Sequence, residues 1–298
     1  MNYHTTVLLK EAVAGLTLKS DGIYIDATFG GGGHSHEILR GLGENGKLIA
    51  FDQDEDVTPN LIDDARFSFY NHNFRDIKRM LRYGGIKQVD GILADLGVSS
   101  HQFDEAGRGF SYRFDAPLDM RMNQQEGKTA ADILNTYDAT QLQTLLSTYG
   151  EVRNSRTLAQ AIVQSRGGKQ FQNISDLLAV TTPLSMGDKI RYQSQVFQAL
   201  RIEVNDELGA LKDFLQQSLE ILKTGGLLSV ITFHSLEDRI VKNFMKTGTF
   251  DADLQSDFYG NISRPFKVIT KKPIEPSAAE TKANPRARSA KLRVAEKI

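Results

Sequence analysis

The stretch Ile25-Asp26-Ala27-Thr28-Phe29-Gly30-Gly31-Gly32-Gly33-His34 decides the reading of this chain: a short apolar run enters four consecutive glycines, and a helix-forming segment follows. Glycines there let backbone approach a ligand closely, and the free N–H groups of a helix start suit an anionic group. For a dinucleotide that group is a pyrophosphate, and for S-adenosylmethionine it is the amino-acid carboxylate. After Gly30 and Gly32, the third glycine position of the dinucleotide pattern is held by Ser35, which favours S-adenosylmethionine over NAD.

Outward from this loop, residues 23–26, 47–52, 67–70 and 89–95 read as strands, and 35–42 and 76–83 as helices. Strands alternating with helices at this spacing predict βαβ units in a doubly wound, mostly parallel sheet. The rhythm then stops. Between 114 and 195 no strand pattern stands out, whereas Thr129 with Asp132 and Asp138 with Gln141 match capping boxes. Further helices are expected over 155–163 and 175–182. Asn205 then reads as an N-cap, with Leu208, Leu211, Leu215, Leu219 and Leu222 on one helix face, a strand over 227–233, and an antiparallel edge from 266–270 and 291–295. The expectation is an α/β fold in which a domain made of residues 1–113 and 196–298 is interrupted by an all-helical insertion, residues 114–195.

With 298 residues, 40% of them hydrophobic, the chain is long enough for a sizeable core. It has no cysteine, which excludes thiolate catalysis, disulfides and cysteine-held metal. Neither a secretory leader nor an apolar run of roughly 20 residues is seen, so a cytoplasmic protein with no membrane association is expected. The formal net charge is −1, but residues 271–298 carry eight Lys or Arg against three Glu. That tail is either a solvated end or a phosphate contact.

Asp52 ends the second strand 19 residues after Gly33, where a carboxylate accepts the hydrogen bonds of a ribose diol. Asp95 closes the fourth strand, the end of an open α/β sheet at which reacting groups sit; there it can hold an amine in line with a methyl donor. His34 and His36 form a His-x-His pair, but no third histidine or acidic cluster supports it, so no metal is expected. His234, after the fifth strand, lacks the glycines of a nucleophile elbow and reads as part of a loop over the active site.

At these residues the chain resembles a known family, the bacterial N4-cytosine methyltransferases of small-subunit ribosomal RNA known as RsmH or MraW. The resemblance covers nearly the whole chain. It rests on His4-Thr5-Thr6-Val7-Leu8-Leu9, the loop from Thr28 to Ser35, Asp95 to Ser100, Arg108-Gly109-Phe110-Ser111, Pro117-Leu118-Asp119-Met120-Arg121-Met122, Phe197-Gln198-Ala199-Leu200-Arg201-Ile202, Phe233 to Arg239 and Asn284-Pro285-Arg286-Ala287-Arg288-Ser289. It implies a Rossmann-like class I methyltransferase fold and S-adenosyl-L-methionine as cofactor, held by Gly32, Gly33, His34, Asp52, Phe74, Asp95 and Gln102. It also implies 16S ribosomal RNA, or the small ribosomal subunit, as partner, with the helical insertion helping to hold RNA; a homodimer is left open. Two departures stand beside the insertion: Arg191-Tyr192-Gln193-Ser194-Gln195, where the family has a His-Pro-Ala segment, and Val152-Arg153-Asn154 after Tyr149-Gly150-Glu151.

The expected reaction is methylation of the N4 amino group of a cytidine in the decoding region, with Asp95 accepting an N4 hydrogen and Ser99 and Ser100 lining the pocket. Methylation at carbon C5 ordinarily needs a cysteine nucleophile, which is absent. Arg108, Arg113, Arg121 and Arg201 are the candidates for phosphate contact. Two rivals are carried: a non-catalytic RNA-binding or ribosome-assembly protein on a methyltransferase scaffold, and an NAD-dependent oxidoreductase.

Overall fold

The computed structural model describes residues 6–251 and 264–298, so His4 and Thr5 of the first motif lie outside the described residues. Among the described residues, seven strands, β1 (Ile23–Asp26), β2 (Lys47–Phe51), β3 (Phe67–Tyr70), β4 (Val89–Asp95), β5 (Leu222–Thr232), β6 (Phe266–Val268) and β7 (Lys291–Lys297), form one sheet in the order β3-β2-β1-β4-β5-β7-β6. The first five pair in parallel, and β7 runs antiparallel between β5 and β6. The order reverses between β1 and β4, and the crevice outside the carboxyl ends of such neighbours is where open α/β sheets bind ligands.

Helices α1 (Leu9–Ala14), α2 (Gly33–Gly41) and α3 (Ile77–Tyr83) accompany the first strands. The run α4 (Ser100–Asp104), α5 (Ala130–Thr136), α6 (Ala139–Thr148), α7 (Ser155–Arg166), α8 (Ile174–Thr181) and α9 (Lys189–Asn205) follows, then α10 (Glu207–Ile221), α11 (Ser235–Thr247) and α12 (Ala278–Ala283). None of the described helices is long and apolar enough to cross a membrane.

Alternation along the central strands assigns the two sheet faces. Ile25, Ile49, Ile92, Ala94, Leu228 and Val230 pack with Leu211, Phe214 and Leu215 of α10 and Val241 and Phe244 of α11. Tyr24, Leu48, Leu93, Ile231 and Leu292 pack on the other side with Leu8, Ala12, Val13, Ile38 and Leu39. A parallel sheet covered on both faces reads as continuous apolar sequence, as Leu48 to Phe51 of β2 do.

The chain divides into two compact units: one runs up to Gly97 and resumes at Leu208, and the other is Val98–Glu207. Against the expected insertion 114–195, the second unit spans 98–207. Phe110 and Phe197 are buried in the helical unit's own core with Leu118, Leu145, Leu158 and Leu200, so the flanking stretches 98–113 and 196–207 belong to the helices. Thr129 and Asp138 cap α5 and α6 with full capping boxes, as their spacing predicts. Asn205 does not cap the following helix. It ends α9, its amide donating to the Met120 and Arg201 carbonyls, and Asp206 makes the left-handed break at φ 46°. Leu222, expected on the helix face, begins β5 opposite Val89. The two departures from the family pattern meet: the Tyr192 hydroxyl donates to Asn154 Oδ1 at 3.0 Å.

Candidate active site

The glycine loop is tied to both neighbours of β1, with Ala27 N–H donating to the Leu93 carbonyl and Phe29 N–H to the Phe51 carbonyl, each at 2.8 Å. Gly30 (φ 50°) and Gly32 (φ 76°) take the left-handed conformation that side chains resist. At Gly30 and Gly31 nothing lies within 4 Å of the position a Cβ would take, whereas at Gly33 a Cβ would run into the Thr6 hydroxyl. The loop is thus open on one side and packed on the other. Helix α2 begins at Gly33, two residues earlier than expected, and its N-cap Gly32 offers no side chain to the first-turn amides. Those amides point where an anion is favoured.

Three carboxylates close around this loop. Asp26, fully buried, accepts the Ser35 hydroxyl at 2.7 Å and the Thr28 N–H at 3.2 Å, yet burial pushes its pKa up to about 7. Ser35, the residue that breaks the dinucleotide pattern, is therefore bound to the strand end rather than merely tolerated. Asp52 Oδ2 accepts from Gly30 N–H at 2.8 Å and Oδ1 from Asp54 N–H at 2.9 Å. Desolvation raises it to about 6 against those two bonds. Asp95 is placed by its own N–H, which donates to Thr28 Oγ1 at 2.6 Å. Its Oδ1 is buried with no hydrogen-bond partner among the described residues. Burial drives its pKa well above the carboxylate range, and the charges of Asp26 and Glu237 push it further.

His34 stands in the first turn of α2, 4% exposed, with Nδ1 3.9 Å from Asp95 Oδ2. Burial lowers its pKa to about 4, so the ring is neutral at pH 7, and its Nε2 has no partner among the described residues. Phe74 opens a short turn after β3 and packs edge-on against Phe214 at 5.2 Å. The preceding Asn73 donates to the Gln53 side chain at 2.7 Å, which brings the Phe74 turn beside the residue after Asp52. His234 is the N-cap of α11, and Glu237 reaches back to accept the Phe233 N–H at 2.8 Å. His234 Nε2 lies 3.2 Å from Glu237 Oε1. The sequence pattern alone assigns no role to Asp26 or Glu237. Their signal was present in retrospect, an acid at the end of β1 and an acid at the third position of a helix.

The helical unit carries the other predicted residues. Ser99 and Gln102 form a capping box at the start of α4, with Gln102 Oε1 accepting the Ser99 N–H at 3.0 Å and Ser100 opening the helix. Gln102 is buried. Of the four arginines expected on phosphate, Arg108 is corrected: it is 3% exposed, and its guanidinium donates to the Arg121 and Met122 carbonyls. Arg121 is held by two bonds to Asp119 and Arg201 by two to Glu207. Arg113 alone of the four is exposed.

An open glycine cradle, an acid at each of three neighbouring strand ends and an orphaned carboxylate oxygen suit a charged, nucleoside-bearing ligand next to a polar reacting group. A profile of the MraW methylase family matches residues 1–298. A Flavobacterium johnsoniae protein named ribosomal RNA small subunit methyltransferase H is 56% identical over 300 residues, covering 100% of this chain and 99% of its own. A Bacteroides thetaiotaomicron protein of the same name is 54% identical over 298 residues, covering 100% and 98%. With its full length matched and its glycine cradle and strand-end acids in place, the chain belongs to the MraW methylase family.

Proposed function

We propose that this chain is an S-adenosylmethionine-dependent methyltransferase acting on the N4 amino group of a cytidine in small-subunit ribosomal RNA. The observation that carries the reading is Asp95: a buried carboxylate with one oxygen unused, at the carboxyl end of β4, its N–H bonded to Thr28 at the start of the glycine loop. Full-length relatives at 54% and 56% identity that are named for the small-subunit RNA support the substrate class.

The residues fit the donor. The uncapped first turn of α2 with Gly32, Gly33 and His34 suits its carboxylate, Asp52 a ribose diol, and the Phe74 ring an adenine face. When bound, the donor supplies an electrophilic methyl on a sulfonium sulfur. The cytosine amine is a weak nucleophile because its lone pair is delocalised into the ring, so the chain must orient it. Asp95, ionised, accepts one amine hydrogen and keeps the nitrogen lone pair pointed along the line of attack. On methylation, the proton shed by the amine nitrogen would pass to Asp95, whose raised pKa makes it the better base. Neutral His34 beside it adds no positive charge that would weaken this base. The helical unit with Ser99, Ser100 and Arg113 is the part of the chain we assign to RNA.

Replacing Asp95 by Ala and by Asn, with donor affinity by calorimetry and single-turnover methylation measured separately, tests the assignment. A loss of roughly 10²-fold or more in turnover, with donor affinity changed less than tenfold, is expected. Wild-type turnover in either variant rules Asp95 out. Digestion of the product RNA and mass spectrometry of its nucleosides locates the methyl; a C5-methylated cytidine defeats the N4 reading.

A further inference from the structure

We propose that the Pro285–Ser289 turn is a phosphate clamp for the RNA strand at the reaction edge, with Arg288 as its contact residue. The proposal rests on the RNA-methylation reading above and extends it to a segment that reading leaves without a role.

Topology places the turn. β7 is antiparallel to β5, and its first residues Lys291 and Leu292 pair with Thr232 and Ile231. Ile231 pairs on its other side with Asp95. The chain entering β7 therefore arrives at the carboxyl ends of the parallel strands, the edge that carries Asp26 and Asp95. Two strand spacings separate Leu292 from Asp95, about 10 Å, and the turn stands just before it.

The turn is held firmly. Asn284 caps it by accepting the Arg286 N–H at 3.2 Å, and Pro285 sits in its first turn. Ala287 and Ala290 are buried in the core that includes Leu8, Ile38 and Leu292. Upstream, Glu280 of α12 accepts the Leu8 N–H at 2.8 Å, and downstream Arg293 of β7 makes two bonds to Asp238 near the start of α11. Small residues thus face inward, and the intervening cation is displayed on a fixed base.

Charge completes the case. Between Thr281 and Lys291 there are four basic residues, Lys282, Arg286, Arg288 and Lys291, and no acidic one, in a chain of net charge −1. Arg75, Arg121, Arg201 and Arg293 each grip a carboxylate of this chain. Arg288 is exposed and forms no ion pair with a described residue. A planar guanidinium fixed on a rigid turn beside the reaction edge matches a phosphate, which it can bind through two donors at once.

The test uses the full chain, a single-stranded small-subunit RNA fragment containing cytidine, and the variants Arg288→Ala and Arg288→Lys. Arg288→Ala should raise the RNA Kd and KM roughly fivefold and make the slope of log K against log salt shallower by about 0.7. Donor affinity and melting temperature should stay at wild-type values. Arg288→Lys should keep the salt slope and recover only part of the affinity. Replacing single phosphates near the target by uncharged methylphosphonates should reveal one position that weakens wild type but not Arg288→Ala. Wild-type Kd and salt slope in Arg288→Ala overturn the clamp. RNA binding is read without turnover, so a wild-type protein that binds RNA yet transfers no methyl defeats the functional reading while the binding arm still decides the clamp.

Discussion

Gly33 shows what a single hydrogen in place of a methyl does at this site. A Cβ there would strike the Thr6 hydroxyl, so the loop and the residues ahead of α1 touch only because the side chain is absent. Gly33→Ala should destabilise the protein by about 1–3 kcal/mol and weaken donor binding. Adding Thr6→Ala, which removes the struck atoms, should recover part of both. Chemical denaturation and calorimetry on the single and double variants check this; additive losses would show that the contact is not the cause. His34 makes a different point at the same scale. Burial holds the ring neutral beside Asp95, a property that its His-x-His spacing in the sequence does not reveal.

At the scale of an element, α11 links a helix cap to acid–base chemistry. Glu237 satisfies the Phe233 N–H, and its charge is one of those raising the Asp95 pKa. Glu237→Gln keeps an acceptor for the cap and removes the charge, so the Asp95 pKa should fall. On the proposal that an ionised Asp95 accepts the proton, the acid limb of the methylation rate profile should move to lower pH, with the fold intact by circular dichroism. An unmoved limb would mean that Glu237 serves the cap alone. Elements were also where the sequence was most readable. Capping boxes at Thr129 and Asp138 act over three residues, so their signal is local and the helices begin where predicted. The start of α2 was misplaced by two residues because glycine carries no propensity signal to announce a helix. The true junction at Asp206 depends on a left-handed residue that pattern alone does not mark.

For the whole molecule, the buried acids of the sheet unit set a pH dependence of stability. Asp26, at an ordinary value near 3.8 when unfolded and about 7 when folded, makes the native state bind more protons between those limits. The free energy of unfolding therefore loses its contribution as pH climbs from about 4 to about 7. Asp52 acts in the same direction up to about 6, and His34, lowered to about 4, acts in the opposite one. Asp64 and Asp176, held at about 2, act only below this window. Asp26→Asn isolates the first contribution: relative to wild type, the variant should gain stability from pH 4 to pH 7, by up to about 4 kcal/mol at about 1.4 per tenfold change in ionisation. Urea titrations at both pH values measure it, and a constant difference between the two proteins would refute it.

The sequence by itself determined the parallel sheet, the glycine loop, the strand-end acids Asp52 and Asp95, the presence of a helical unit and the family. Each of these is written in neighbours a few residues apart, or in periodicity imposed by one buried face. Only the tertiary structure decided that Arg108 is buried on backbone carbonyls, that Phe110 and Phe197 belong to the helical core, that Asp26 is locked to Ser35, and that the Arg288 turn arrives at the carboxyl ends of the parallel strands. The reason is common to all four. Burial, desolvation and the direction of a returning strand depend on groups distant along the chain, and no local pattern encodes which of many similar partners will be met.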